Sequence, residues 1–183
     1  MMRWWNDAKE KRLREFFEII AIACLLVFLA KIFLFFPTTV KGASMRPTLQ
    51  DGDKVIINKL AKKFESYERE DIIVVKTDNF YVKRVIGLPG DVIEMKNDQL
   101  YVNHQVKNEE YLNNNKKQAE KLLINLTEDF GPITIPKNKI FVMGDNRLVS
   151  RDSRNGLGLI DRTEVLGKLM AIYYPFEHVK IVN

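Results

Sequence analysis

The 183-residue sequence predicts an all-β, barrel-like domain carried on one N-terminal apolar helix. Three observations lead there. A 21-residue, mostly apolar run from Phe16 to Phe36 is closed by Pro37. Beyond it come many short strand-like segments, separated by Gly, Pro, Asn and Asp. The length itself suits one anchor and one domain, and no internal repeat is visible.

The apolar run sets the organisation. As a helix rising 1.5 Å per residue it reaches roughly 30 Å, enough for the hydrocarbon core of a bilayer. Glu18 near its start reaches the interface, and Lys31 near its end snorkels outward along its stem. Arg3, Lys9, Lys11, Arg12 and Arg14 precede the run, whereas Lys41 and Arg46 follow it. That bias places residues 1–15 in the cytoplasm, 16–36 in the membrane and 37–183 on the outer face. Trp4 and Trp5 suit the inner surface. A cleaved leader is the rival reading, but the run is longer than a leader's apolar region.

Composition removes other classes. Formal net charge is +5, and from Pro37 onward 23 Lys and Arg stand against 20 Asp and Glu. So even a balance argues against nucleic-acid binding and allows a mild attraction to anionic lipid. Cys24, the only cysteine, lies inside the apolar run, so neither an internal disulfide nor a thiolate metal cluster is available. His104 and His178 are far apart in sequence, and neither metal nor cofactor is expected.

The rest is read in order. Thr38–Lys41 is β-branched and extended, leading to Ser44, and Arg46-Pro47-Thr48 turns the chain. Lys54–Asn58 is a strand; residues 60–70 are charged, irregular or briefly helical. Asp71–Lys76 is an apolar run of a strand buried on both faces. In Phe80–Ile86, alternation puts Tyr81, Lys83 and Val85 on one face and Val82, Arg84 and Ile86 on the other. Asp91–Met95 and Gln99–Asn103 form a hairpin about Asn97-Asp98, with His104 in an exposed turn. An insertion near 104–135 includes the polar residues 108–129, whose structure is left open. Strands resume at Ile133–Ile135 and Ile140–Met143. A turn-rich loop spans Gly144 to Gly158, and Val165–Tyr174 and Val179–Val182 close the domain.

Two side chains carry the chemistry. Ser44 stands in a small-residue turn directly after the anchor, and Lys83 interrupts an apolar strand. A serine hydroxyl needs a base to take its proton, and a lysine serves when burial keeps it neutral. Spacing alone reads Lys83 as an ordinary exposed lysine on an edge strand, and Ser44 as a turn residue. The third stretch, Gly144 to Arg154, shifts that balance: Asp152 and Arg154 pair to stiffen it, and Ser150 orients a lysine amine.

Together, Ser44-Met45-x-Pro47-Thr48-Leu49, Lys83-Arg84-Val85-Ile86-Gly87-x-Pro89-Gly90-Asp91 and Gly144-Asp145-Asn146-Arg147-x-x-Ser150-x-Asp152-Ser153-Arg154 resemble type I signal peptidases, with Gly156-x-Gly158-Leu159-Ile160 closing the match. The resemblance covers the chain from the anchor onward. It implies a signal-peptidase-like β-barrel or sandwich on a single transmembrane helix, cutting signal peptides from secreted preproteins beside the export machinery. It implies Ser44 as nucleophile, Lys83 as general base, Ser150 holding the amine, and Asp145, Asp152 and Arg154 in support. The Ser44 N–H becomes one oxyanion donor. Some relatives have a serine two residues earlier as a second donor; Gly42 here follows the small Gram-positive type. Substrate is expected to lie extended between Thr38–Ala43 and Phe80–Lys83, with Val40, Met45, Leu49, Tyr81 and Val82 shaping pockets for small side chains.

Two alternatives are weighed. A membrane-tethered β-domain would bind extracellular peptides without cutting them. A self-cleaving repressor would share the Ser–Lys core but needs a DNA-reading domain in place of the anchor.

Overall fold

The computed structural model describes residues 2–64 and 67–182, without the side chains of 2–10 and 30–33. It divides into two compact units, 1–36 and 37–183.

The first unit is one helix, α1 (Met2–Leu34). It starts well before the apolar run because Ala8 to Glu15 are nearly all good helix formers, and Arg14 and Glu18 pair across one turn at 3.4 Å. It ends two residues short of the expected Phe36, because Phe35 and Phe36 already open a strand. Among the described residues, no helix is long and apolar enough to cross a membrane. The side chains of Trp4, Trp5 and Lys31, to which interfacial roles were assigned, lie outside the described residues.

The second unit is mostly β. In chain order its strands are β1 (Phe35–Thr39), β2 (Lys54–Asn58), β3 (Ile72–Lys76), β4 (Phe80–Gly87), β5 (Val92–Lys96), β6 (Gln99–Val102), β7 (Gln105–Lys107), β8 (Phe130–Thr134), β9 (Lys139–Met143), β10 (Ile160–Asp161), β11 (Val165–Tyr174) and β12 (Lys180–Ile181). The larger sheet runs β1-β2-β11-β3-β4-β9-β10, with β12 also on β11; the smaller runs β7-β6-β5-β8. Two short helices, α2 (Leu60–Lys63) and α3 (Asn113–Lys121), complete it.

Local chemistry accounts for most of these elements. β3 is buried on both faces over Ile72–Val75, as its unbroken apolar run requires. The β5–β6 turn places Asn97 and Asp98 at φ 51° and 58°, the left-handed pair of a tight hairpin that Asn and Asp tolerate. Asn103 and His104 repeat the device at φ 53° and 64°. His104 is exposed, but its turn is tight and adds β7, a strand that polarity alone did not reveal.

β4 is not at an edge: β3 pairs with it on one side and β9 on the other. The pairing is unequal, however. β3 follows β4 from Phe80 to Arg84, whereas β9 meets it only at Arg84, Val85 and Gly87. Phe80–Lys83 therefore keeps one strand-free side among the described residues. Three apolar clusters surround this strand. Val82 packs on a cluster holding Val40, Met45, Leu49 and Val55; Tyr81 and Val85 join one built on Ile73 and Val142; Ile86 joins Ile93, Phe141 and Met143.

Candidate active site

The turn that carries Ser44 is pinned from beneath. Met45 and Leu49 are buried in the core, at about 1.5–3 kcal/mol for each such side chain, so the turn is a fixed shelf. Ser44 itself stays half-exposed on top of it. Two backbone-directed bonds from the 144–154 loop secure it: Asn146 N–H donates to Ser44 O at 3.0 Å, and Asn146 Nδ2 to Ala43 O at 3.1 Å.

Lys83 comes from the middle of β4 and is 2% exposed, among the largest buried side chains described. The exposed edge-strand lysine read from spacing is thus corrected: β3 and β9 flank its strand, and the serine turn and the 144–154 loop cover its face. Lys83 Nζ donates to Ser44 Oγ at 2.8 Å. Burial pushes its pKa down from 10.5 to about 8, against the pull of Asp152 and Asp145 and with help from Arg154. Burial outweighs the two carboxylates, each of which is also engaged by an arginine.

Those pairs frame the dyad. Arg84, next to Lys83 but on the opposite face, is buried and donates to Asp145 through Nε at 2.9 Å and Nη2 at 2.6 Å, and to Glu70 O at 2.7 Å. Burial disfavours its charge, but the Asp145 hydrogen bonds and charge prevail and keep it protonated. Asp145 also accepts from the Thr48 hydroxyl, which ties the serine turn to the base strand. Arg154 clasps Asp152 through Nε and Nη2, both at 2.9 Å, and the Gly144 N–H donates to the same carboxylate at 3.0 Å. Burial raises the Asp152 pKa, yet the Arg154 bonds and charge carry it below the usual carboxylate range.

Gly144 fits because it has no side chain. A Cβ there would stand 2.2 Å from Ser150 Oγ and 2.4 Å from Ser44 O, so loop and serine turn approach backbone to backbone. Ser150 is buried beside it, and its Oγ has no hydrogen-bond partner among the described residues.

The insertion reaches into the same region. Glu109 and Arg147 form a buried pair, with Arg147 Nε on Gly144 O at 3.0 Å. The Tyr111 ring lies 3.9 Å from the Arg84 guanidinium carbon, and Asn115 Nδ2 donates to Asp145 O at 2.7 Å and Arg46 O at 3.2 Å. Nothing in the sequence singled out Glu109, Tyr111 or Asn115. Arg84, Asn146 and Arg147 stood within the quoted stretches without a role.

Ser44 and Lys83 are thus in contact, with the 144–154 loop packed around them. The profile of the family described as signal peptidase, peptidase S26, matches residues 13–174. The chain belongs to that family.

Its relatives agree over nearly full length. Signal peptidase I P of Bacillus subtilis subsp. natto is 48% identical over 179 residues, 94% of this chain and 97% of its own. Signal peptidase I S of Bacillus subtilis strain 168 is 46% identical over 184 residues, spanning both chains completely. The crystal structure of a signal peptidase I from Enterococcus faecalis V583 superposes with a TM-score of 0.53 at 35% identity, covering 57% of this chain and 97% of that one. The chain is accordingly a peptidase with a mostly β fold.

In this signal peptidase family member the expected pocket residues divide by depth. Val40, Met45 and Leu49 are 3%, 1% and 0% exposed and belong to the core beneath the serine turn. Tyr81 and Val82 are half-exposed, on opposite faces of β4. Gly42 sits at φ +89° with its N–H on Asp51 Oδ1 at 2.7 Å. A side chain there meets open space, so conformation and not crowding favours glycine.

Proposed function

We propose that this chain is a membrane-anchored endopeptidase that removes signal peptides from exported preproteins, with Ser44 as nucleophile and Lys83 as general base. The observation that carries the reading is the 2.8 Å contact between a half-exposed serine and a buried lysine whose pKa lies at about 8. In the neutral amine the contact runs the other way, and the Ser44 hydroxyl donates to Nζ. Ser44 Oγ attacks the carbonyl carbon before the cut while Nζ takes its proton. The Ser44 N–H, which donates to no group among the described residues, faces the developing oxyanion. Protonated Lys83 then gives its proton to the departing amine, and water deacylates the serine with Lys83 again as base. Ser150, whose buried Oγ has no hydrogen-bond partner among the described residues, is the hydroxyl left free to take up the amine; Asp145, Asp152 and Arg154 fix the surrounding loop.

Substrate adds as a strand. The side of Phe80–Lys83 that β9 leaves open supports pairing with an extended peptide that ends at Ser44. Val40, Met45 and Leu49 lie beneath the serine turn with Val82 packed on them, and Tyr81 stands on the other face of β4; small substrate side chains suit so shallow a surface.

The anchor is assigned to α1 from the apolar sequence of Phe16 to Phe36, although no helix among the described residues is by itself long and apolar enough to cross a membrane. Its residues from Phe16 to Leu29 include many large apolar side chains exposed on all sides, an arrangement suited to lipid and not to water. With the basic flank preceding it, the N-terminus is cytoplasmic and the catalytic unit lies on the outer face, near the export machinery.

Cleavage of a preprotein by the full chain in lipid vesicles tests the reading. The wild-type chain is expected to release the mature protein at the signal-peptide junction, and Ser44→Ala to release none while staying folded. A wild-type chain that binds signal peptides and never cuts them makes this a binding domain instead.

A further inference from the structure

A polar groove adjoins the serine turn. It is lined by Arg46, Pro47, Gln50, Asn115, Gln118 and Asn146, and Arg46, its first residue, stands two residues past Ser44. Building on the peptidase reading, we propose that this groove binds the residues downstream of the scissile bond and favours acidic ones, with Arg46 as the selecting residue.

Continuity supplies the first argument. A polypeptide paired along Phe80–Lys83 and cut at Ser44 must continue past the nucleophile, and the chain that follows Ser44 forms this groove. The lining supplies the second. Asn146 commits its Nδ2 to Ala43 O, and Asn115 commits its Nδ2 to Arg46 O and Asp145 O. With the amide nitrogens fixed, both side-chain oxygens are oriented acceptors, suited to the backbone N–H groups of an extended peptide. That part of recognition is indifferent to sequence.

Charge supplies the selectivity. Arg46 is exposed, and among the described residues no carboxylate pairs with it. Asn115, Gln118, Gln50 and Asn146 bring no charge. An acidic residue just after the cut therefore meets one uncompensated cation, and a basic one meets like charge. An exposed pair of this kind changes rate by about threefold, and salt screens it.

The test is internal competition. Two peptides, identical through the signal sequence and carrying either Asp or Lys at the second and third positions after the cut, are mixed with the full-length enzyme in detergent micelles. The ratio of their kcat/KM values is read by mass spectrometry. Because both compete for one enzyme, partial loss of folded protein leaves the ratio unchanged. The expected ratio favours the acidic peptide by about threefold in wild type, falls to near one in Arg46→Gln and inverts in Arg46→Glu. A ratio near one in all three, or an acidic preference that survives Arg46→Glu, overturns the proposal. Cleavage of neither peptide by the wild-type enzyme removes the peptidase reading and this inference with it.

Discussion

Lys83→Met is expected to stop peptide cleavage while making the folded domain more stable at neutral pH. The loss of activity follows from the role proposed for the lysine: without a base the Ser44 hydroxyl keeps its proton, and kcat falls by about a thousandfold or more. The gain in stability follows from burial. Lys83 is held at about 8, against 10.5 for an ordinary lysine. Between those pH values the unfolded chain binds a proton that the folded chain does not, so stability rises with pH across that window. Below about 8 both states are protonated, and the folded state bears the whole cost of a desolvated ammonium. Methionine fills nearly the same space with no charge. It leaves the Arg84–Asp145 and Arg154–Asp152 pairs complete. The expected gain at pH 7 is about 1–3 kcal/mol, measured by urea unfolding, shrinking as pH is raised above about 8. A variant less stable than wild type at pH 7 would show that Lys83 is held by attraction and not strained by burial.

The second large effect lies one residue along. Asp145→Ala leaves the Arg84 guanidinium buried without its bidentate partner, and Arg84→Ala leaves Asp145 with Thr48 alone. Each is expected to lower stability by about 3–5 kcal/mol, the usual result of breaking a buried pair from one side. The double variant, losing both charges together, should cost clearly less than the sum. Unfolding of the three variants checks this, and strict additivity would mean that the pair is not energetically coupled. Cleavage should fall in both single variants as well. Asp145 connects Thr48 in the serine turn to the residue beside Lys83, so its removal loosens the distance on which proton transfer depends.

These residues also show where the sequence was informative and where it stopped. Local signals read well: the continuous apolar run of β3, the Asn97-Asp98 turn and the strands β2, β9 and β11 all follow from short-range chemistry. Alternation correctly put Tyr81, Lys83 and Val85 on one face of β4. It had no access to what covers that face, because the covering segments come from 39 residues before Lys83 and more than 60 after it. For the same reason Glu109–Arg147 was invisible: its partners are 38 residues apart, and each looks like an ordinary surface charge in isolation. Helix α3 escaped because Asn113–Lys121 buries only Ala119, too little for an amphipathic pattern; the contacts of Asn115 and its neighbours hold it in place. The resemblance named Val40, Met45 and Leu49 as pocket residues but could not give their depth, which is set by packing across the core.

The central claim is that a neutral, buried Lys83 activates Ser44, and the pH dependence of kcat/KM tests it most directly. The active form is the unprotonated amine. Activity of the wild-type chain on a preprotein peptide should therefore rise with pH through a single ionisation at about 8 and level off above it. A profile already flat across that range, or one that climbs only near the ordinary lysine value of 10.5, would contradict the claim.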